Sequence, residues 1–248
     1  MESSDLMKRI NSFAHRSFRN TADKDYIHAR MAYQGDLYPQ FLWSSIHALE
    51  KYVKCILLLN RVPLPKKRIG HEVCRALELL KNKDNPIDIK LSDDTNKFLK
   101  RLEQFGAKYR YLEVSWFADE NELFKLDKAV WEIRKYCNSG VYNYEISPTV
   151  NFNVEVHEKI TKSNTPDKQN TLIPNGWLEN VLSHKNHPAR PNLVWNNLYY
   201  TTANRKVVKN KSGIMFENSP FYLNPELIDA ISEYVIVPKE IKHAYKNG

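Results

Sequence analysis

Apolar residues at Leu42, Ile46, Leu49, Val53 and Ile56 recur at intervals of four and three, which keeps one face of an α-helix apolar over four turns. Pro39 suits the first turn of that helix, where its missing N–H is not needed. Pro63 and Pro65, in the loop Arg61–Pro65, end it because they cannot continue the hydrogen-bond ladder. An earlier helix starts at Asp23 or Asp25 and carries Tyr26, Ala29, Arg30 and Tyr33 until Gly35 interrupts it. A third runs from about His71 to Lys81 with Val73, Leu77 and Leu80 inward. Ser92, a natural N-cap, opens a fourth that buries Phe98, Leu102 and Phe105 before Gly106. Residues 109–112 read as a connector. A fifth helix, from about Glu120 to Cys137, sets Leu123, Leu126 or Asp127, Val130 and Ile133 at helical spacing. Helices joined by short loops predict a mainly α fold: an up-and-down bundle of four to five helices over residues 1–140.

The pattern changes after Gly140. Val150, Phe152, Val154 and Val156 alternate with polar residues, a strand period that predicts a strand near 150–156. Residues 163–169 are polar and hold a proline, as a loop or linker does. Helical patterns return at Trp177–Leu182 and Leu193–Tyr200, and Asn224-Pro225-Glu226 supplies a cap, a first-turn proline and an acidic first turn ahead of Leu227. Residues 141–248 are therefore expected to form a smaller, mixed but mostly helical C-terminal part. The boundary falls near 140–165.

Composition narrows the class. At 248 residues with 42% hydrophobic and 12% aromatic content, the chain can build a substantial core and is not disordered. The three cysteines are odd in number and none is placed at metal-ligand spacing, which argues for a reducing compartment. The N-terminus lacks the order of a signal peptide, and the longest apolar run, Cys55–Leu59, is far short of the roughly 20 residues a membrane span needs. A cytoplasmic protein without a membrane partner is expected. The formal charge of +8 is spread over both halves, favouring encounter with polyanions without marking a groove.

One helix face carries a second message. His47, Glu50, Lys51 and Lys54 fall within an arc of about 100°, away from the apolar face. They can be a solvated surface with a Glu–Lys pair worth a few tenths of a kcal/mol, or a charged stripe for a phosphate-bearing ligand.

The run Ala48-Leu49-Glu50-Lys51-Tyr52-Val53-Lys54 follows a helix holding Tyr26-Ile27-His28-Ala29-Arg30. It precedes a helix opening with His71. In this it resembles the HEPN superfamily (higher eukaryotes and prokaryotes nucleotide-binding domain) over about residues 20–140. Glu50, Lys51 and Lys54 match the family's Glu-Lys-x-x-Lys helix and His71 the helix after it. The resemblance implies an α-helical bundle, often dimeric. It also implies either a metal-independent ribonuclease, as found in toxin–antitoxin, abortive-infection and CRISPR systems, or a non-catalytic binder of nucleotide or nucleic acid. Nuclease members carry an Arg, four to six residues, then a His late in the bundle. A ribose 2′-hydroxyl attacks the adjacent phosphate while His moves protons and Arg stabilises the charge. Here Arg134 is followed by Cys137, Asn138, Ser139 and Gly140, with no His before His157. Arg68 stands only three positions before His71, and Arg9 and His15 have the spacing but lie ahead of the bundle.

Further residue groups have structural and functional readings side by side. His184 and His187 could be two metal ligands, but three-residue spacing lacks the remaining ligands of a zinc site. Arg190, between Pro188 and Pro191, could meet an anion or belong to a turn. Trp195, Tyr199 and Tyr200, like Tyr109 and Tyr111 around Arg110, could stack bases or pack in the core. No Walker loop, dinucleotide glycine motif, Gly-x-Ser-x-Gly elbow or His-Glu-x-x-His occurs. No cofactor or metal is implied. Three functions result. The first is a binder of RNA, DNA or a nucleotide through His47, Glu50, Lys51, Lys54 and Arg110, a defence or toxin–antitoxin-type system being the setting that the resemblance implies. The second is a ribonuclease with a rearranged site built on His47 or His71. The third is a structural module whose aromatic segment 177–200 docks a protein partner. A homodimer is compatible with the first two.

Overall fold

The computed structural model describes residues 3–63, 72–81, 87–105, 112–139, 142–143, 151–152, 154–162, 173, 175–201, 207–208 and 215–246. The chain begins with α1 (Ser3–Phe13), passes through a π-helical segment (Ala14–Arg19) and continues as α2 (Asn20–Gln34). The predicted helix from Asp23 is thus the last part of a longer helical stretch. Asp36, with φ 60°, takes the left-handed turn after Gly35, and Leu37 N–H reaches back to Ala32 O at 2.9 Å. That reversal brings α3 (Tyr38–Leu59) against α2.

Helix α3 is the centre of the bundle. Leu42, Ile46, Leu49, Val53 and Ile56 are all buried, as the periodicity predicts, and so are Phe41, Ala48, Tyr52, Cys55 and Leu59 on its other sides. Its end is closed by Arg61 at φ 57°. There Val62 N–H bonds Leu57 O at 2.9 Å and Arg61 N–H bonds Leu58 O at 3.1 Å, satisfying carbonyls the helix leaves over.

Helices α4 (Val73–Leu79), α5 (Asp93–Phe105) and α6 (Glu122–Arg134) complete the bundle. Val73, Leu77 and Leu80 are buried, as are Phe98, Leu102, Leu123, Val130 and Ile133. Ser92 caps α5, its hydroxyl accepting from Thr95 N–H at 3.3 Å. Between α5 and α6 lies a short strand β1 (Trp116–Ala118).

Beyond the bundle β2 (Tyr142–Asn143) pairs antiparallel with β3 (Asn151–Phe152). The alternation at 150–156 is not carried further as strand, because α7 (Val154–Lys162) begins at Val154. Four-residue spacing wins there: Val156 packs on the core and Ile160 is buried within it, while Val154 is exposed. The pattern at 177–182 becomes α8 (Trp177–Ser183). The pattern at 193–200 is corrected. Helix α9 (Arg190–Val194) starts earlier and stops at Trp195, whose backbone turns extended at ψ 119° ahead of Asn196 at φ 48°. Strand β4 (Met215–Glu217) then pairs antiparallel with β1, setting Phe117 opposite Phe216. Ser219 caps α10 (Pro220–Leu223). A 3-10 turn (Pro225–Leu227) leads into α11 (Ile228–Ser232), with Asn224 making no side-chain cap, and α12 (Lys239–Lys246) follows. No helix among the described residues is long and apolar enough to cross a membrane.

Candidate functional site

Charge inside the bundle is organised first around α2 and α6. Asp23 and Arg30 are seven residues apart on α2, and Asp127 and Arg134 seven apart on α6. Asp23 meets Arg134 and Arg30 meets Asp127, so the two helices run antiparallel with matched braces about two turns apart. Arg134 spends both edges of its guanidinium. Nε and Nη2 donate to Asp23 at 2.6 and 2.9 Å, and Nη1 and Nη2 donate to Glu179 of α8 at 2.7 and 2.8 Å. Tyr52 O–H also donates to Asp23, at 2.7 Å. The side chain of Arg134 is 1% exposed. Burial would lower its pKa, but the two carboxylates outweigh that and hold it well above the ordinary value.

The second brace draws in the segment after α9. Arg30 Nε donates to Asn192 O at 2.8 Å, and its other nitrogens donate to Asp127 and to Trp195 O. Tyr26 O–H donates to Asp127 at 2.6 Å and accepts from Asn197 Nδ2 at 2.9 Å. The aromatic residues Tyr199 and Tyr200 pack on Trp131, with ring centres 5.5 and 6.0 Å apart, and Tyr200 on Tyr26 at 5.9 Å. None of Trp177, Leu178, Val181, Leu193, Trp195, Tyr199 and Tyr200 is exposed, so the apolar side chains of 177–200 pack against the bundle and do not present an open docking face. Arg190 serves here too, donating from Nε to Leu182 O at 3.0 Å.

The stripe on α3 is present, half-buried, with its lysines engaged. Lys51 pairs with Asp25 of α2, and Lys54 with Glu50 one turn back. His47 lies edge-on to Trp43 with ring centres 4.2 Å apart. His71, Arg68 and Tyr109–Tyr111, with Arg110 among them, lie outside the described residues. Arg9 pairs with exposed Asp5. His15 is pushed down to about 4, first by burial and then by the charge of Arg19. His184 and His187 belong to a polar turn, His187 Nδ1 accepting from Ala189 N–H at 3.1 Å. Among the described residues no group of three His, Cys, Asp or Glu could hold a metal ion.

A second cationic feature, not singled out from sequence, lies between α5 and α6. A cleft of about 440 Å³ is lined by Lys97, Arg101, Lys125 and Lys128, with Phe98 and Phe124 as apolar wall and Asp94 as the one carboxylate. Lys97 makes no ion pair among the described residues. Arg101 bonds Glu122 and the Tyr38 hydroxyl, yet its Nε is buried with no hydrogen-bond partner. Lys125 is tied to Asp119 and Glu122, and Lys128 to Asp94 at 2.9 Å. Its sequence signal was the ridge Asp94, Lys97, Arg101 at helical spacing on α5, facing Phe124, Lys125 and Lys128 on α6. Such a cleft has the volume and mixed lining of a small-ligand site.

These features define a helical-bundle protein with a cationic cleft on its outer helices and its inner charges consumed by packing. Residues 15–139 match the HEPN domain family, half of the chain, and the chain belongs to that family. Membership points to a nucleotide-related or ribonuclease-type role. No curated protein and no solved structure matches the chain.

Proposed function

We propose that this HEPN-family chain binds a phosphate-bearing ligand, RNA, DNA or a nucleotide, without turning it over. The α5–α6 cleft carries the reading. Four cationic side chains surround a partly apolar cavity that can seat a base or sugar while lysines meet phosphate. The stripe His47, Glu50, Lys51 and Lys54, with Arg110, is the weaker candidate for the same ligand: both of its lysines are paired, whereas the cleft offers Lys97 without an ion pair among the described residues, beside Lys125 and Lys128, which would also have to release carboxylates. Binding without turnover is supported by Arg134. It is the arginine of the last bundle helix, yet both edges of its guanidinium face carboxylates, and no phosphate can displace two bidentate partners cheaply.

The test is binding of labelled single-stranded RNA, with single-stranded DNA and ATP as competitors, across a salt series in EDTA. Affinity should fall steeply with salt. A Lys97→Glu/Lys128→Glu chain should bind at least about tenfold more weakly, with a salt slope smaller by about two. RNA should stay intact. Cleavage that His47→Ala or His71→Ala abolishes would replace the binding reading with a ribonuclease one. Absence of binding at low salt would remove both.

A further inference from the structure

We propose that the chain associates with itself head to tail: a basic, apolar stripe at its N-terminus seats on an acidic, apolar surface of the next copy's C-terminal part. The stripe is Leu6, Arg9, Phe13 and Arg16. Their spacing of three, four and three places them on one side of the helical stretch, and Arg9, Ser12, Phe13 and Arg16 line one groove. Leu6 and Phe13 are 42% and 56% exposed. Arg16 makes no ion pair among the described residues. Arg9 has only Asp5, an exposed pair that yields readily to a better partner.

The complementary surface is built by residues 215–238. That stretch holds Glu217, Glu226, Asp229 and Glu233 and no Lys, Arg or His, in a chain whose formal charge is +8. Among these carboxylates stand Leu223, Leu227, Tyr234, Val235 and Ile236, all exposed, Tyr234 at 84% and Ile236 at 97%. The surface is held in shape from behind. Ile228, Val237 and Ile241 are buried, and Ser219 fixes the segment to the bundle through Ser115 at 2.9 Å and Glu113 O at 3.2 Å. Apolar side chains set among carboxylates repel a nucleic acid and call for a helix that alternates large apolar residues with arginines. This chain's own N-terminal stripe has that composition. The two surfaces differ, so the contact is heterologous and each copy keeps one of each kind for further neighbours.

Sedimentation velocity of the full chain, over a range of concentrations and at low and high salt, tests this. The average mass should rise above the monomer with concentration and fall back in high salt, where screening removes exposed pairs. Arg9→Glu/Arg16→Glu and Glu226→Arg/Glu233→Arg chains, with unchanged circular dichroism, should each stay monomeric where the wild type associates. Mixed in equal amounts they should associate again, because each then meets a complementary surface. Three outcomes would overturn the proposal: a wild type that is monomeric throughout, a variant that associates as the wild type does, or a mixture that does not restore assembly. A monomeric wild type whose RNA binding the Arg9→Glu/Arg16→Glu change abolishes would assign the stripe to nucleic acid instead.

Discussion

The side of α6 that meets α2 and the side that meets α5 are both charged, and they differ in what surrounds the charge. Toward α2, Asp127 and Arg134 are almost wholly shielded from water, and Arg134 is engaged on every edge. Toward α5, Lys125 and Lys128 keep 30% and 22% of their side-chain surface exposed and face a cavity. A charge removed from water needs permanent partners, or it costs several kcal/mol. Such a group fixes geometry and has nothing left for a ligand. A charge at a cleft wall keeps its hydration until a ligand replaces it. Within one helix, burial therefore separates the charges locked into the architecture from Lys125 and Lys128, whose water-accessible pairs with Asp119, Glu122 and Asp94 a ligand can displace.

That separation is sharpest at Arg134. Arg134→Met strands Asp23 and Glu179, two carboxylates in the interior, and should lower stability by about 3–5 kcal/mol, measured by urea denaturation. Arg134→Lys should recover only part, because an ammonium cannot serve two carboxylates from two edges. A loss under about 1 kcal/mol for the methionine variant would mean the brace is not where the bundle's specificity lies. Lys97→Glu/Lys128→Glu should weaken phosphate binding yet leave the denaturation midpoint nearly unchanged, the opposite pattern.

Next in size is the tie between α6 and α8. Burial alone would raise the Glu179 carboxyl, but the Arg134 guanidinium outweighs it and holds the group below the ordinary range. An acid with a depressed folded pKa adds stability at pH above its ordinary value. It loses that contribution as pH falls through the folded value. Protection against hydrogen exchange over residues 175–183, taken relative to the intrinsic rate at each pH, should therefore fall on acidification below the usual carboxylate range, before the bundle itself opens. Glu179→Gln should cost about 1–3 kcal/mol and flatten this acid dependence. Equal acid dependence in both chains would place the titrating group elsewhere.

The bundle was legible because its apolar residues obey a single period: Leu42 to Ile56 all fall inside, and the helix ends follow Pro39, Gly35 and Ser92. The braces are not legible from Asp23, Arg30, Asp127 and Arg134 alone, since helical spacing tells which residues share a face and not which faces of distant helices meet. Asp127 beside Leu126 was the nearest signal, a charged residue at a core position. The cleft is hidden in the sequence for a related reason. Lys97 and Arg101 on one helix look like a solvated surface until α6 brings Lys125 and Lys128 to face them. The α3 stripe was found from sequence, but its pairing with Asp25 depends on how α2 packs. At 150–156 the alternation holds as strand only over Asn151–Phe152, and from Val154 the four-residue spacing that packs Val156 and Ile160 decides for helix.

The smallest effect lies on α3, halfway between the two kinds of charge. Lys54 and Glu50 form a pair one turn apart, with 29% and 13% of their side chains exposed, so neither is committed as Arg134 is nor open as Lys97 is. Lys54→Ala should cost less than about 1 kcal/mol, the range of helix-surface pairs, and high salt should erase most of it. What matters is whether RNA affinity changes with it. A drop of about tenfold with little loss of stability would mean that Lys54 leaves Glu50 for phosphate, extending the binding surface from α5 and α6 onto α3. Unchanged affinity would confine binding to the cleft and make the stripe part of the bundle's own packing, its lysines already spent on Asp25 and Glu50.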